Sequence, residues 1–364
     1  MADVISSIPA TPKLGIRVSD AVLSPVPAVE PSISSVPSCP GSLSYADLFP
    51  ESDLSNVGNT RPPQHLRQFA GDDIERAYLT YFAAGDLHAY RHGTKVRVEG
   101  STTHPAQLEL LRDLFGGYAK PIYEPALAPR GHHCLRATFD LDSSFDFLLN
   151  KPRELEQRVL SNDALFCSAL SGFSDAEGHV GLKRNRGKAY ARYTLSNRNR
   201  RIMRGFHRGL ISRGYSTPLY ALQGEKIQWQ LEVNGHHALR LLPNIDLRHR
   251  EKMVSRQIAI TYNSSSWAIA GPVYAAHREA ILAERTALEA VAARRYNLRD
   301  DRKRRKEEIF RDRVASTFEL FSTGLGVEEV ARALKCSIRT AYRRKEKFTE
   351  WKEKVGNRND STYP

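Results

Sequence analysis

The chain has 364 residues and carries 54 lysines and arginines against 41 aspartates and glutamates, which gives a formal net charge of +13. This length allows two or three domains with a large buried core, and the positive charge favours a polyanionic partner, either nucleic acid or an anionic membrane surface. No apolar run approaches the length of a membrane-spanning helix, so we expect no integral membrane segment.

The cysteines and the N-terminus indicate the compartment. The four cysteines are scattered and form no CxxC pair, so we predict reduced thiols: Cys39, Cys134, Cys167 and Cys336. The N-terminus lacks the basic start and apolar stretch of a secretory signal. We therefore expect a reducing intracellular compartment, which is the cytoplasm of a bacterium or archaeon or the interior of an organelle.

Residues 1–62 are rich in proline, serine, alanine and valine. They show neither a helical nor a strand period, and the prolines would interrupt either structure. We predict that this segment is disordered.

Residues 66–155 are periodic and predict a first α+β repeat. A helix is expected over 73–84, followed by a hairpin in HAYRHGTKVRVEG with Gly93 and Thr94 at its turn. The stretch HPAQLELLRDLFGG predicts an amphipathic helix, 134–141 a strand, and the residues after it a helical region interrupted at Pro152.

The same order of elements recurs in residues 160–262. DALFCSALSGFSDA predicts a helix, HVGLKRNRGKAYARYTLS a hairpin, and NRNRRIMRGFHRGLISRG an amphipathic helix. A strand in KIQWQLEVNG and a helical region after it complete the copy. We interpret the repeated order as an internal duplication.

A third region is helical in period. Residues 270–309 are predicted to be a basic helical linker, which contains RKRRK at 302–306, and 351–364 a disordered tail. Residues 310–350 resemble a helix-turn-helix, in which Ser337 caps the second helix and Lys335 stands where such turns often have glycine. The residues predicted to contact DNA are Arg339, Thr340, Tyr342, Arg343 and Arg344. The alternative is a helical hairpin that only packs.

The string LSGFSDAEG, residues 170–178, resembles the signature of the LAGLIDADG homing endonucleases. Glu177 stands where that family has its metal-binding acid. A poorer match, LTYFAAGDL at 79–87, places Asp86 at the acid position, with Tyr81 and Leu87 in place of two glycines. The resemblance covers roughly residues 68–260.

The residues give the resemblance a physical basis. Two helices approach closely only where side chains are small, as at Gly172, Ala176, Ala83 and Ala84. Such packing would bring Asp86 and Glu177 together at the helix ends, where like charges and the helix dipoles repel them. A divalent cation such as Mg²⁺ relieves both penalties, and the carboxylates would then hold metal, each directing cleavage of one strand.

A cation near the scissile phosphate would stabilise its developing charge. By resemblance to the family's closing helical segment, Arg248 is our candidate in the second copy, with Arg250 and Lys252 as neighbours that could substitute. In the first copy Lys151 corresponds, with Arg153 as the alternative.

Strand faces rich in basic and amide side chains suit major-groove edges and phosphates. The predicted DNA-binding residues of the strands are Lys95, Arg97, Arg136, Lys183, Arg184, Lys188, Tyr190, Arg192, Gln228 and Gln230. The alternative is an ordinary solvated face of an antiparallel sheet. In KIQWQLEVNG, Ile227, Trp229, Leu231 and Val233 are expected to face a core.

The resemblance implies an α+β fold: two pseudo-symmetric αββαββα repeats forming a saddle of antiparallel sheets, joined to a C-terminal all-α helix-turn-helix domain. It implies a Mg²⁺-dependent, site-specific endonuclease that makes a double-strand break in a long asymmetric DNA target and acts as a monomeric pseudo-dimer. Two alternatives stay open: a non-cleaving transcription regulator, since one bacterial sporulation-regulator family joins such a core to a helix-turn-helix, and a maturase that binds intron RNA.

Overall fold

The computed structural model describes residues 66–128, 131–224 and 227–359. All of them lie in one structural unit, Thr60–Pro364. The segment 1–62 that we predicted to be disordered lies outside the described residues, as do the last five residues of the predicted tail. None of the helices in the described ranges is both long enough and apolar enough to cross a bilayer.

The first repeat contains two helices, four strands and a 3-10 turn. Their bounds are α1 Asp73–Asp86, β1 His88–His92, β2 Lys95–Thr102, α2 Pro105–Phe115, β3 Ile122–Leu127, β4 His133–Leu141 and the 3-10 turn Ser143–Leu148. The side chain of Asp72 caps α1 by accepting a hydrogen bond from the Glu75 amide at 2.8 Å. Gly93 makes the β1–β2 turn with φ +62, in the left-handed region that favours glycine.

The second repeat has the same order, preceded by a short connecting helix. The bounds are α3 Gln157–Ser161, α4 Asp163–Glu177, β5 Gly178–Asn185, β6 Lys188–Asn197, α5 Arg200–Ser212, β7 Leu219–Leu222, β8 Gln228–Asn234 and α6 Gly235–Leu241.

Each repeat forms a four-stranded antiparallel sheet, and the strand orders correspond: β1-β2-β4-β3 and β5-β6-β8-β7. In the register of the central strands, Val98 pairs with Phe139 and Tyr193 with Val233. These residues are buried beneath the helices, so each sheet has an inner face toward the helices and an outer face opposite. The α+β fold class is thus confirmed.

Two edge strands, β3 and β7, are included in the αββαββα order that the resemblance implies, but the residue patterns did not locate them. β3 contains Pro125, which an edge strand tolerates because one side of it needs no ladder hydrogen bonds. β7 has only four residues and shows no alternation. Ile227, which we expected to face a core, is 60% exposed because it precedes the first paired residue of β8.

The C-terminal region differs from its predicted divisions. After α7, Arg250–Thr261, a single helix α8 runs over Trp267–Ser322, so the predicted boundary at residue 309 lies inside a helix. No glycine occurs between Gly271 and Gly324, and pairs such as Asp300–Arg304 support the helix at i,i+4 spacing. Two further helices follow, α9 Val327–Ala333 and α10 Ile338–Asn359, and α10 covers most of the segment 351–364 that was predicted to be disordered.

Candidate active site

Helices α1 and α4 pack side by side and run in the same direction. Near their N-terminal ends, the Ser168 hydroxyl donates a hydrogen bond to the Ile74 carbonyl at 2.6 Å. One turn further along, a Cβ built on Gly172 would lie 2.1 Å from the carbonyl oxygen of Tyr78. Only glycine permits this approach, because the obstacle is backbone that cannot move aside.

The parallel packing brings the C-terminal ends of both helices together. A Cβ built on Gly85 would lie 2.5 Å from Cβ of Ala176 and 2.9 Å from Cγ of Glu177. Asp86 follows Gly85 directly, so Asp86 and Glu177 emerge from the same end of the helix pair. Gly85, whose role the sequence reading did not recognise, makes the contact that we had expected of Ala83 and Ala84.

Asp86 lies at a cavity of about 250 Å³ that is also lined by His104, Gln107 and Lys252. Its Oδ2 accepts a hydrogen bond from Nε2 of Gln107 at 3.0 Å. Asp86 is an exposed residue at the rim of this cavity, but protein atoms surround its carboxylate. This burial, together with the negative charge of Glu177, raises the pKa of Asp86 to about 7.

Glu177 is half-buried at the end of α4. Burial raises its pKa, while a hydrogen bond from Nδ2 of Asn197 to Oε1 at 2.7 Å stabilises the ionised form. Each carboxylate therefore has one amide partner that fixes its direction, Gln107 for Asp86 and Asn197 for Glu177.

Lys252, at the start of α7, places its ammonium group at the C-terminal end of α4. Nζ donates to the carbonyl oxygens of Ser174 at 2.8 Å and Asp175 at 2.6 Å. Burial lowers its pKa, while the carboxylates of Asp175, Asp86 and Glu177 raise it. The net effect is a lowered pKa for an amino group whose charge acts on both acids.

The two basic residues chosen from the sequence have different positions. Burial lowers the pKa of Lys151, and the negative charges of Asp86 and Glu177 offset part of that shift. Arg248 instead pairs with Glu75 at 2.7 Å and stacks on the ring of Tyr78. Glu75 precedes Asp86 by eleven residues, about 16 Å along the helix. Arg248 is therefore not brought to the carboxylates, and its neighbour Lys252 is.

Asp175 explains why α7 lies where it does. Its fully buried carboxylate accepts hydrogen bonds from the Tyr78 hydroxyl at 2.6 Å and the Arg248 amide at 2.7 Å. These bonds tie the chain that leads into α7 to both helices, and so they position Lys252. No periodicity in the sequence reveals this contact, because its partners are separated by more than seventy residues.

The donor set at this site fits a divalent cation. In the parts of the chain that the structure describes, no three histidine, cysteine or carboxylate side chains cluster as a complete metal cage. Mg²⁺, however, usually keeps several waters and takes one or two carboxylates together with substrate phosphates. Asp86 and Glu177 offer hard oxygen ligands for such a site.

Comparisons with known proteins find similar solved structures at low sequence identity. No family model and no curated protein matches the chain. Among solved structures, it is similar to I-DmoI in complex with DNA and Mn (16% identity, TM-score 0.33, 48% of this chain and 96% of that chain). It is also similar to the homing endonuclease I-WcaI bound to its DNA recognition sequence (13% identity, TM-score 0.38, 56% of this chain and 97% of that chain). A third similar structure is full-length DUF199/WhiA from Thermatoga maritima (14%, 0.35, 79% and 94%).

The outer face of the second sheet carries the predicted basic side chains, but acids accompany them. Lys183 and Arg192 pair with the carboxylate of Glu232 at 3.0 and 2.7 Å. Burial alone would raise the pKa of Glu232, but hydrogen bonds from Asn234, Lys183, Arg192 and Tyr220 lower it to about 2. The exposed residues of this face include Lys183, Lys188 and Gln228, with Tyr190 and Gln230 half-buried. Arg184 is also exposed, but it pairs with Ala189, whose side chain is buried on the inner face, so Arg184 lies on the inner side of the sheet.

The outer face of the first sheet is similar in chemistry. Arg97 binds Asp140 through two hydrogen bonds of 2.6 and 3.0 Å, and Arg136 lies 4.0 Å from Glu99. Lys95 is half-buried at the β1–β2 turn.

Helix α8 covers part of these outer faces. It packs against β3 and β4, where Cys134 is buried and the charge of Glu289 acts on its thiol. On the second sheet the Tyr274 hydroxyl lies 3.3 Å from Nε2 of His179, and a Cβ built on Gly181 would meet that hydroxyl at 2.1 Å. Any DNA on the outer faces must therefore share them with α8.

The C-terminal helices form a small packed unit around Val327, Ala331 and Ala341. Lys335 adopts φ +47 in the turn between α9 and α10, and the Ser337 hydroxyl accepts from the Thr340 amide at 3.2 Å. Arg339, Tyr342 and Arg343 are exposed, whereas Thr340 and Arg344 are half-buried, and Arg344 donates to the Thr317 hydroxyl.

Proposed function

We propose that the protein is a divalent-metal-dependent DNA endonuclease in which Asp86 and Glu177 each serve one strand. The observation that carries the proposal is the parallel packing of α1 and α4, which delivers one carboxylate from each repeat to the same place. Carboxylates that repel one another at two helix ends destabilise the fold, and a cation bound between them relieves that cost.

The residues around the pair have distinct tasks. Gln107 and Asn197 hold the two carboxylates in direction through their amide hydrogens. Lys252 presents a positive charge that favours the additional negative charge of a phosphodiester under attack. The bound cation would supply an activated water and stabilise the departing 3′ oxygen.

Duplex binding falls to the outer faces of the sheets and to the C-terminal helices. Lys188 and Gln228 are exposed on the outer face of the second sheet and can reach phosphates or base edges. We propose that α10 acts as the recognition helix of a helix-turn-helix, with Arg339, Tyr342 and Arg343 facing the groove. This second contact would lengthen the target site.

A non-cleaving DNA-binding regulator is the second candidate, and one observation favours it. Helix α8 occupies part of the outer sheet faces, and carboxylates neutralise Lys183, Arg192 and Arg97 there. A protein that relies on its C-terminal helices for DNA contact would tolerate both features.

The test is cleavage of a randomised duplex library with Mg²⁺ or Mn²⁺. The wild type is compared with Asp86→Asn and Glu177→Gln, and with Asp113→Asn as a control at an exposed carboxylate on α2. We expect the wild type and the control to cut, and the two site variants to bind with unchanged affinity while losing cutting of at least one strand. A wild type that binds duplex but cuts nothing with either cation contradicts the nuclease proposal and supports the regulator.

The role of the C-terminal helices is tested by ending the chain after Ser322, where α8 ends. We expect weaker duplex binding and a shorter protected footprint, with the chemistry retained. An unchanged footprint with cutting abolished would contradict this division of tasks.

A further inference from the structure

Helix α5 borders an open cavity of about 730 Å³ on the second repeat, between the helix and the strands β7 and β8. Four arginines of the helix line it: Arg200, Arg201, Arg204 and Arg208. The indole of Trp229 and the carboxylate of Glu154 also reach the cavity. We call the four arginines the arginine stripe.

The arginine stripe lies on the opposite side of the sheet from the proposed duplex-binding face. The other side of α5 buries Met203, Phe206 and Leu210 in the core, beneath the inner face of the sheet. Lys188 and Arg192 belong to the outer face. A ligand at the arginine stripe therefore cannot contact the outer face through the same atoms.

The stripe is not built for stability. Within the described part of the chain, none of its guanidinium groups forms a salt bridge or a hydrogen bond, whereas Arg213, Arg248 and Arg250 each pair with a carboxylate. Arg200, Arg204 and Arg208 follow one another at i,i+4 spacing, about 6 Å apart along the helix, where like charges repel. An anionic ligand would convert this repulsion into binding energy.

The chemistry of the lining points to nucleic acid. All four cations are arginines, whose planar forks bind phosphate oxygens through two hydrogen bonds. A line of evenly spaced cations suits a polymer of phosphates better than a single ion. Trp229 is half-exposed beside them, with the guanidinium of Arg200 4.5 Å from its ring.

We propose that the arginine stripe and Trp229 form a second nucleic-acid site, which takes an unpaired strand. The guanidinium groups bind successive phosphates, and the flat surface formed by Trp229 and Arg200 stacks against a base. A concave aromatic site suits a base that has left its stack, which a closed duplex does not offer. Neither element reads the 2′-hydroxyl, so unpaired DNA and RNA bind alike.

The experiment measures fluorescence anisotropy of the full chain with labelled oligo(dT), oligo(U) and a duplex. Arg204→Gln/Arg208→Gln removes two cations of the stripe, and Lys95→Gln/Lys188→Gln removes two cations of the outer faces as the matched control. We expect the stripe variant to lose roughly tenfold in affinity for both oligonucleotides, and its salt-dependence slope to fall by about 1.4. Its affinity for the duplex should stay within about twofold, and the control should show the converse pattern.

A second variant pair isolates the stacking contact. Trp229→Phe keeps an aromatic surface and Trp229→Ala removes it. We therefore expect only the alanine variant to lose affinity for the oligonucleotides, by roughly fivefold or more. Thermal melting shows whether either variant remains folded, and loss of tryptophan quenching by oligo(dT) in Trp229→Phe reports the contact directly. Two results would overturn the proposal: equal losses of affinity for all three ligands in both double variants, or unchanged affinity of the stripe variant for the oligonucleotides. So would a stripe variant that loses one oligonucleotide and retains the other.

Discussion

The two repeats contain the same elements, yet they contribute unequally to the contact between them. At the closest approach, α4 supplies Gly172, whereas α1 supplies the backbone of Tyr78. Tyr81, the residue of α1 that corresponds to Gly172 in the repeat, instead fills the core of the second repeat, with its ring 5.8 Å from that of Phe206. The comparison teaches that one glycine at each close contact, Gly172 in one place and Gly85 in the other, is enough for the two helices to approach closely. The first repeat can thus keep Asp86 at the paired helix ends without a glycine at the position of Tyr81.

Among the differences between the repeats, we expect the largest effect from the two lysines near the acids, Lys252 and Lys151. Lys252 is fixed by carbonyl oxygens of α4, whereas Lys151 is exposed. If Lys252 stabilises the developing charge, Lys252→Met should lower the single-turnover rate of cutting by about 10²- to 10³-fold. Lys151→Met should lower it less. Since Lys252 also caps α4, melting curves must show that the variant is folded, and a Lys252→Met protein that cuts at the wild-type rate would refute this role.

Substitutions of Gly172 and Gly85, which lie at the two close contacts between α1 and α4, should differ in their cost to stability. Gly172→Ala sets a methyl group against a backbone oxygen, so we expect a loss of about 3 kcal/mol or more in the free energy of unfolding. Gly85→Ala meets a methyl group and a flexible glutamate at the helix ends, and about 1 to 2 kcal/mol is expected. Urea unfolding measures both, and equal losses would show that the two contacts are equally tight.

The acids of the outer faces differ between the sheets. Glu232 is buried and has a pKa of about 2, below its ordinary 4.5, so its stabilisation is present above about pH 4.5 and lost as the pH falls toward 2. Glu232→Gln should cost about 2 kcal/mol at neutral pH, with the difference from the wild type shrinking over that interval. The pKa of Asp140 is also lowered, chiefly by its hydrogen bond with Arg97, and Asp140→Asn should cost less because it has fewer partners.

The same Glu232→Gln variant should bind duplex more tightly, because Lys183 and Arg192 are released from their carboxylate. Unfolding curves at several pH values and anisotropy with a duplex check the two effects. A stability difference that is independent of pH between 4.5 and 2 would contradict the charge assignment.

The tyrosines of α1 give the smallest contrast. Tyr78 donates to the buried carboxylate of Asp175, so Tyr78→Phe should cost about 2 kcal/mol. The Tyr81 hydroxyl only accepts a 3.3 Å hydrogen bond from the Glu156 amide, and Tyr81→Phe should cost about 1 kcal/mol or less. Thermal unfolding of the two variants decides; a larger loss for Tyr81→Phe would reverse the assignment.

The elements of the repeats, and the positions of Asp86 and Glu177 at helix ends, could be predicted from the sequence because both depend on local pattern. Alternation over Lys188–Asn197 and helical period over Arg200–Ser212 are visible in any short window. The choice of Lys252 over Arg248 could not be predicted in this way. It depends on the buried bonds of Asp175 to Tyr78 and to the Arg248 backbone, which join residues far apart in the chain.

For helix α8, the sequence predicted the helix but not its packing. Its charged sequence predicted a helix, but period alone cannot show that it packs against β3 and β4 and covers part of the outer face. The residue patterns did not locate the edge strands β3 and β7, because a proline in one and the shortness of the other hide the alternation.

The most direct test of the account is strand-resolved cleavage of a duplex that is labelled on both strands. Because each repeat supplies one acid, Asp86→Asn and Glu177→Gln should each nick the duplex, and the two variants should spare opposite strands. Variants that both spare the same strand, or that both cut the two strands at the wild-type rate, would contradict the assignment of one carboxylate to each strand.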